Sequence, residues 1–158
     1  MKIGQSIDIH QLIRGRKLIL GGVEIENELG LLGHSDADVL IHAIIEAIIG
    51  ALGLGDIGTH FPDTDEKYKG VKSTKLLAKT YKMMDEKGYM IGNVDSIIVI
   101  EKPKLAPYIG KMRGNIAHAL NCSVSQINVK ATRAETLGFI GEEKGALAQA
   151  VVLLVEKQ

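Results

Sequence analysis

The sequence contains no tryptophan and only two phenylalanines. So few flat rings argue against a platform for stacking nucleic-acid bases. It has one cysteine, Cys122, so an internal disulfide is excluded and a reducing compartment is expected. Cys122 stands between Asn121 and Ser123 with no evident base nearby in sequence, and it reads as an inert side chain. Charge imbalance is absent too: 19 Lys and Arg face 19 Asp and Glu. That removes the electrostatic case for nucleic acid or a membrane surface as partner. No apolar run reaches transmembrane length, and no signal-peptide pattern opens the sequence. A cytoplasmic protein is expected, or one of the plastid stroma in a plastid-bearing organism. The 158 residues, 46% of them hydrophobic, fit a single domain spanning 1–158.

What the sequence does have is an apolar helix pattern from Gly33 to Gly50. Val39, Leu40, Ile41, Ala43, Ile44, Ile45, Ala47, Ile48 and Ile49 cover every direction of a helical wheel, which predicts burial. Asp38, His42 and Glu46 interrupt it at four-residue spacing and stack along one face, about 6 Å apart per step. Buried polar groups need partners, so this stripe calls for a metal, a ligand or a hydrogen-bond network. Ser35 with Asp38 three residues on reads as a capping box, and Gly33-His34-Ser35 offers free N–H groups to an anion.

Around this helix the pattern predicts a strand from Met1 to His10, with Ile7 and Ile9 on one face and Asp8 and His10 on the other. Lys17–Leu20, Gly21-Gly22 and Val23–Ile25 read as a hairpin. Leu31 and Leu32 lead into the helix. Residues 53–65 hold three glycines, one proline and three acids, a long loop of the kind that carries function. A second helix is capped by Ser73 and stopped by Gly88, its lysines at 72, 75, 79 and 82 forming a solvated face. Asn93–Glu101 reads as a central strand. A helix opened by Pro103 or Pro107 follows, with His118 on its polar side. Strands over Ile127–Ala131 and Ala146–Val155 flank a loop at 132–145. The order predicts an α+β (α/β sandwich) fold, with helices on one face of a mixed sheet.

Asp8 and His10 project from one strand face, and His42 lies on the helix that packs there. Two imidazoles and a carboxylate suit zinc or another divalent transition metal, with a fourth position open. A D-x-H pair alone is weak evidence. The plainer reading is a surface His10 and a hydrogen-bonded core His42. Glu46 is the natural carboxylate to stand behind a metal-bound His42.

Asp8-Ile9-His10, Gly33-His34-Ser35-Asp36-Ala37-Asp38-Val39, His42, Leu54-Gly55-Asp56-Ile57-Gly58, Phe61-Pro62-Asp63-Thr64-Asp65, Gly92-Asn93-Val94-Asp95 and Val129-Lys130-Ala131-Thr132 occur in one order and spacing. In these the chain resembles the 2-C-methyl-D-erythritol 2,4-cyclodiphosphate synthase family along its whole length. The resemblance implies homotrimers with active sites between subunits, each subunit with a four-stranded mixed sheet. It implies a reaction of the methylerythritol phosphate route to isoprenoids. In that reaction the 2-phosphate of 4-diphosphocytidyl-2-C-methyl-D-erythritol 2-phosphate attacks the β-phosphorus and CMP leaves.

Carried over residue by residue, the resemblance gives zinc to Asp8, His10 and His42, and Mg²⁺ or Mn²⁺ to Glu135. His34, Thr132 and Arg133 become the catalytic contacts. Ser35, Asp38, Asp56, Gly58, Phe61, Pro62, Asp63, Thr64 and Asp65 hold substrate. Ile100, Lys104, Leu105, Ala106, Ala131 and Thr132 form the cytidine pocket. Phe139 and Glu142 line a channel on the trimer axis.

Three positions depart from the family. Arg133 stands where a small hydroxyl residue is common. Ser6 and Ile7 replace a frequent glycine and aromatic. Glu142 replaces a frequent arginine that clamps an isoprenoid diphosphate, and a carboxylate repels such a ligand, although Lys144 offers compensation. Two other readings remain: a metal-dependent phosphohydrolase, which shares the ligands but positions a water, and a non-catalytic trimeric scaffold.

Overall fold

The computed structural model describes residues 1–157; Gln158, the last residue of the expected domain span, lies outside the described residues. Seven strands form, in chain order β1 (Lys2–Arg14), β2 (Leu18–Leu20), β3 (Val23–Ile25), β4 (Leu29–Leu31), β5 (Tyr89–Val99), β6 (Ile127–Thr132) and β7 (Gly145–Glu156). The helices are α1 (Val39–Leu52), α2 (Ile57–His60), α3 (Ser73–Glu86), α4 (Ile109–Ala119) and α5 (Gly138–Gly141). No helix of the described residues is long and apolar enough to cross a membrane.

The main sheet has five strands in the order β4-β1-β7-β5-β6, not four. The extra strand follows from the length of β1. Its ladder with β7 ends at Gln11 opposite Gly145, and the remaining stretch pairs through Leu12, Ile13 and Arg14 with Leu31, Gly30 and Leu29. β5 and β6 run parallel and the other pairs antiparallel, so the sheet is mixed. β5 is an interior strand as read, between β7 and β6, and β7 lies at the middle. β2 and β3 make the expected hairpin as a separate two-stranded sheet.

α1 packs flat on β1 and β7, with α3 on its other side. Small residues allow this close approach. A Cβ on Gly4 would lie 1.9 Å from the Ala47 carbonyl oxygen of α1. Ser6, Ala146, Ala148 and Ala150 are buried beneath the same helix. This accounts for the alanine-rich start of β7. All of α1 except His42, Glu46 and Gly50 is buried, as its wheel requires.

The helix starts later than the sequence pattern suggests. Asp38, not Ser35, is the N-cap, and its carboxylate accepts the Ile41 N–H. Ala37 takes a left-handed conformation (φ 58°), so the helix cannot extend back through it. Ser35 Oγ instead accepts the Ala37 N–H at 3.2 Å. Likewise Ser73 is the first residue of α3 rather than its cap, and the Asp36 carboxylate accepts its N–H at 2.9 Å. The expected loops at 53–65 and 132–145 contain the short helices α2 and α5. Pro107, not Pro103, opens the third long helix, through a 3-10 turn at Ala106–Tyr108.

On the opposite sheet face Phe139 of α5 rests on Gly145 at one end, and Ile3, Ile7, Ile9 and Val151 stay exposed. The register continues this face across the strands: Ile7, Gln149, Ile97 and Lys130 form one row.

Candidate active site

Strand and helix periods together build the centre. Steps of two along β1 cover about 6.7 Å and steps of four along α1 about 6 Å. The elements therefore match pairwise: Ser6 meets Glu46, and Asp8 meets His42. Asp8 Oδ2, His10 Nε2 and His42 Nδ1 form a triangle with sides of 3.0, 3.2 and 3.3 Å. Three ligands of a tetrahedral zinc ion with bonds of ~2.0–2.1 Å would be separated by about 3.3 Å.

The other ring nitrogens are also engaged. His10 Nδ1 lies 2.6 Å from the Leu32 carbonyl oxygen, which can only accept, so Nδ1 carries a proton and Nε2 is the nitrogen turned to Asp8. His42 Nε2 lies 2.8 Å from Ser73 Oγ and 3.1 Å from Ser35 Oγ. Burial works to raise the Asp8 carboxyl, but hydrogen bonds and charge from His10 and His42 outweigh it and hold Asp8 well below the usual carboxylate range. Burial alone would lower His10, and the Asp8 carboxylate turns the balance upward. A mixed set of one carboxylate oxygen and two imidazole nitrogens, converging at these distances, fits a divalent transition metal.

The triangle opens into a cavity of about 420 Å³ lined by His34, Ser35, Glu46, Gly58, Phe61, Pro62 and Asp63 of the expected residues. Ile57, Tyr68 and Leu76 complete its apolar wall. Phe61 meets Tyr68 edge-on at 5.5 Å.

Other expected residues are placed elsewhere. Glu46 does not bond His42; it accepts from Ser6 Oγ at 2.9 Å. Asp38 is fully buried and does not line the cavity. Its carboxylate accepts N–H groups from Gly21, Gly22 and Ile41, tying the hairpin turn to the start of α1. Burial pushes its carboxyl up to about 6. Asp56 and Asp65 cap α2 and the 3-10 turn at Glu66–Tyr68, and with Thr64 they lie outside the cavity lining.

A second cavity of about 710 Å³ brings together Ile100, Lys104, Leu105, Ala106, Ala131 and Thr132, with Arg133 and Glu135 at its wall. Glu101, unassigned in the sequence reading, is buried there and accepts the Ala134 N–H at 3.1 Å. Glu135 and Thr136 both adopt left-handed backbone, with φ of 52° and 67°. Arg133 Nη2 lies 3.3 Å from each oxygen of Glu135. The two cavities share no residue. Asp8 is separated from Ala131 by Ala148 and Ile98 in one row, three strand spacings or about 14 Å.

The YgbB family model matches residues 1–155. The chain belongs to the YgbB family. Among its relatives, the 2-C-methyl-D-erythritol 2,4-cyclodiphosphate synthase of Syntrophotalea carbinolica is 60% identical over 154 residues, covering 98% of this chain and 94% of that protein. The bifunctional IspDF of Campylobacter jejuni superposes with a TM-score of 0.94 at 42% identity over 98% of this chain, which spans only 42% of that one. The IspF of Plasmodium falciparum, solved as a CDP complex, gives 0.87 at 39% identity, covering 99% of this chain and 97% of that one.

In this YgbB-family chain the residues expected at a channel lie on and just after α5. The Phe139 ring is 45% exposed and rests on Gly145, and Glu142 pairs with Lys144. Asp36 and Ser73 were given no role at the centre by sequence. Asp36 lies inside the His34–Asp38 motif, but its partner is 37 residues away.

Proposed function

We propose that the chain converts 4-diphosphocytidyl-2-C-methyl-D-erythritol 2-phosphate to 2-C-methyl-D-erythritol 2,4-cyclodiphosphate and CMP, as the relatives' names describe. An oxygen of the 2-phosphate forms a bond to the β-phosphorus. The bond from that phosphorus to the oxygen bridging the α-phosphate breaks, and CMP departs with the bridging oxygen and the electron pair. The observation that carries this reading is the Asp8–His10–His42 triangle opening beside His34 and Ser35 in a family of cyclodiphosphate synthases.

Asp8, His10 and His42 would hold zinc or another divalent transition ion, and Glu135 Mg²⁺ or Mn²⁺; their chemistry there is Lewis-acid polarisation of phosphate oxygens. The chain's own groups do the positioning. Ser35 Oγ already accepts the Ala37 N–H, so its proton is left to donate to a phosphate oxygen. His34 stands on the same wall. Phe61, Tyr68 and Leu76 exclude water from one side. Thr132 and Arg133 meet the phosphates from the nucleotide cavity, Arg133 by leaving Glu135. Transfer between phosphates rests on such placement and charge neutralisation.

In our reading the active form is a homotrimer with each site between two subunits. The separation of the two cavities and the uncovered apolar sheet face support this. A small-molecule substrate, a reducing cytoplasmic location and the absence of nucleic-acid or membrane partners agree with the neutral charge and single cysteine.

The test is to supply the cytidyl substrate with zinc and Mg²⁺ and follow products. CMP with cyclic diphosphate is expected, and His42→Ala should abolish it. Linear phosphate release without the cyclic product would favour a phosphohydrolase. No turnover by zinc-loaded protein would favour a scaffold.

A further inference from the structure

Behind the triangle lies a chain of hydrogen bonds from His42 to Ser73 and from Ser73 to Asp36. Counting protons fixes its direction. A carboxylate accepts only, so the single hydroxyl proton of Ser73 goes to Asp36 Oδ1. Ser73 Oγ can then only accept from His42, 2.8 Å away. The imidazole must therefore carry a proton on Nε2, and Nδ1 is the nitrogen that faces Asp8 and His10. Asp36 is itself held in place. Its Oδ2 accepts the Ser73 N–H at 2.9 Å, and its Oδ1 accepts the Asp38 N–H at 3.2 Å.

We propose that Asp36 and Ser73 are positioning residues that hold a proton on His42 Nε2 and present Nδ1 to the metal, and so set the metal affinity of the centre. The same arrangement makes the start of α3 part of the centre's support, since the Asp36 carboxylate that receives the Ser73 hydroxyl also caps that helix. Glu46, the carboxylate that the helix spacing favours, takes no part. A partner at the far nitrogen of a metal-binding histidine fixes ring orientation and basicity, and its loss typically costs 10–100-fold in metal affinity. The metal half of this proposal rests on the metal reading above; the tautomer half does not.

Two measurements on the full chain test it. The first reads the His42 ring nitrogens by ¹⁵N NMR in the unsubstituted protein without metal. A protonated Nε2 is expected, and a bare Nε2 would overturn the proposal. The second finds the chelator concentration that strips zinc from loaded protein. Ser73→Ala should lower zinc affinity about 10–100-fold, and Ser73→Thr, which keeps the hydroxyl, should restore it.

Asp36→Asn makes a sharper case. With its amide oxygen kept on the shorter of the two backbone contacts, the Ser73 N–H at 2.9 Å rather than the Asp38 N–H at 3.2 Å, its NH₂ donates to Ser73 Oγ. The Ser73 proton then turns to His42 Nε2, and the ring proton moves to Nδ1. Loss of zinc affinity together with this tautomer switch is expected. Native zinc affinity and an unchanged tautomer in both Ser73→Ala and Asp36→Asn would sink the proposal. Should the native chain take up no zinc at all, the metal reading fails, while the NMR assignment still decides the tautomer lock.

Discussion

Arg133 Nη2 stands 3.3 Å from both carboxylate oxygens of Glu135. The guanidinium thus occupies the carboxylate that the family resemblance gives to a second cation. Both side chains are mostly exposed, so the pair is worth only ~0.2–1 kcal/mol. Arg133→Thr should therefore tighten Mg²⁺ or Mn²⁺ binding by no more than about fivefold. Cation titration with CMP release as readout checks this. A gain in maximal rate of tenfold or more would show that the arginine handicaps catalysis rather than supplying charge to the diphosphate.

Asp38 offers a pH test. Burial raises its carboxyl from 3.8 to about 6, helped by the Asp36 charge and opposed by N–H bonds from Gly22, Ile41 and Gly21. The folded chain holds this proton more tightly than the unfolded chain. Its stabilising contribution is complete below pH ~4 and is lost as pH rises through ~6, a span of about 3 kcal/mol. Asp38→Asn lacks this titration. In urea unfolding, the stability of the native chain relative to Asp38→Asn should fall as pH rises from about 4 to about 6. A gap that widens over this range would show the sign to be wrong.

What the sequence disclosed follows from period. Asp8 and His10 share a face because strands alternate, and His42 was marked by its place on an otherwise apolar helix. The helical spacing also put Glu46 on the His42 face, but spacing cannot say which strand residue lies opposite. The antiparallel match of β1 and α1 puts Ser6 there, two strand residues before Asp8. β4 was missed because three residues are too few to show a period. Asp36 and Ser73 were missed as a pair because their contact depends on how α3 docks, which no local pattern encodes. α1 lies against one sheet face as read, since it is apolar all round and the β1 face beneath it carries the small Gly4 and Ser6.

The Gly4 contact predicts a large asymmetry between two glycines. A methyl group at Gly4 would strike the Ala47 carbonyl, whereas one at Gly50 meets nothing within 4 Å. Gly4→Ala should cost ~1–3 kcal/mol or more, because the helix must lift from the strand that carries Asp8 and His10. It should also weaken zinc binding. Gly50→Ala, in the same helix, should gain about 0.4–1 kcal/mol. Thermal melts of the two variants, with chelator competition for zinc, check both. Equal melting temperatures would contradict the close packing.

The last prediction concerns Glu142. Its carboxylate pairs with Lys144 just after α5, where Phe139 is 45% exposed. In the proposed trimer these residues would surround the axis, and threefold repetition would bring three carboxylates together. A diphosphate entering there meets like charge, and each lysine is already engaged by its own Glu142. Geranyl diphosphate is therefore expected to show no saturable binding that depends on Phe139 and residue 142. Glu142→Arg replaces repulsion with attraction and frees Lys144, and it should raise affinity by at least the order of tenfold. Calorimetric titration of both proteins decides. Tight binding by the unsubstituted chain, lost on Phe139→Ala, would show that Lys144 turns inward and that the channel accepts the ligand despite the acid.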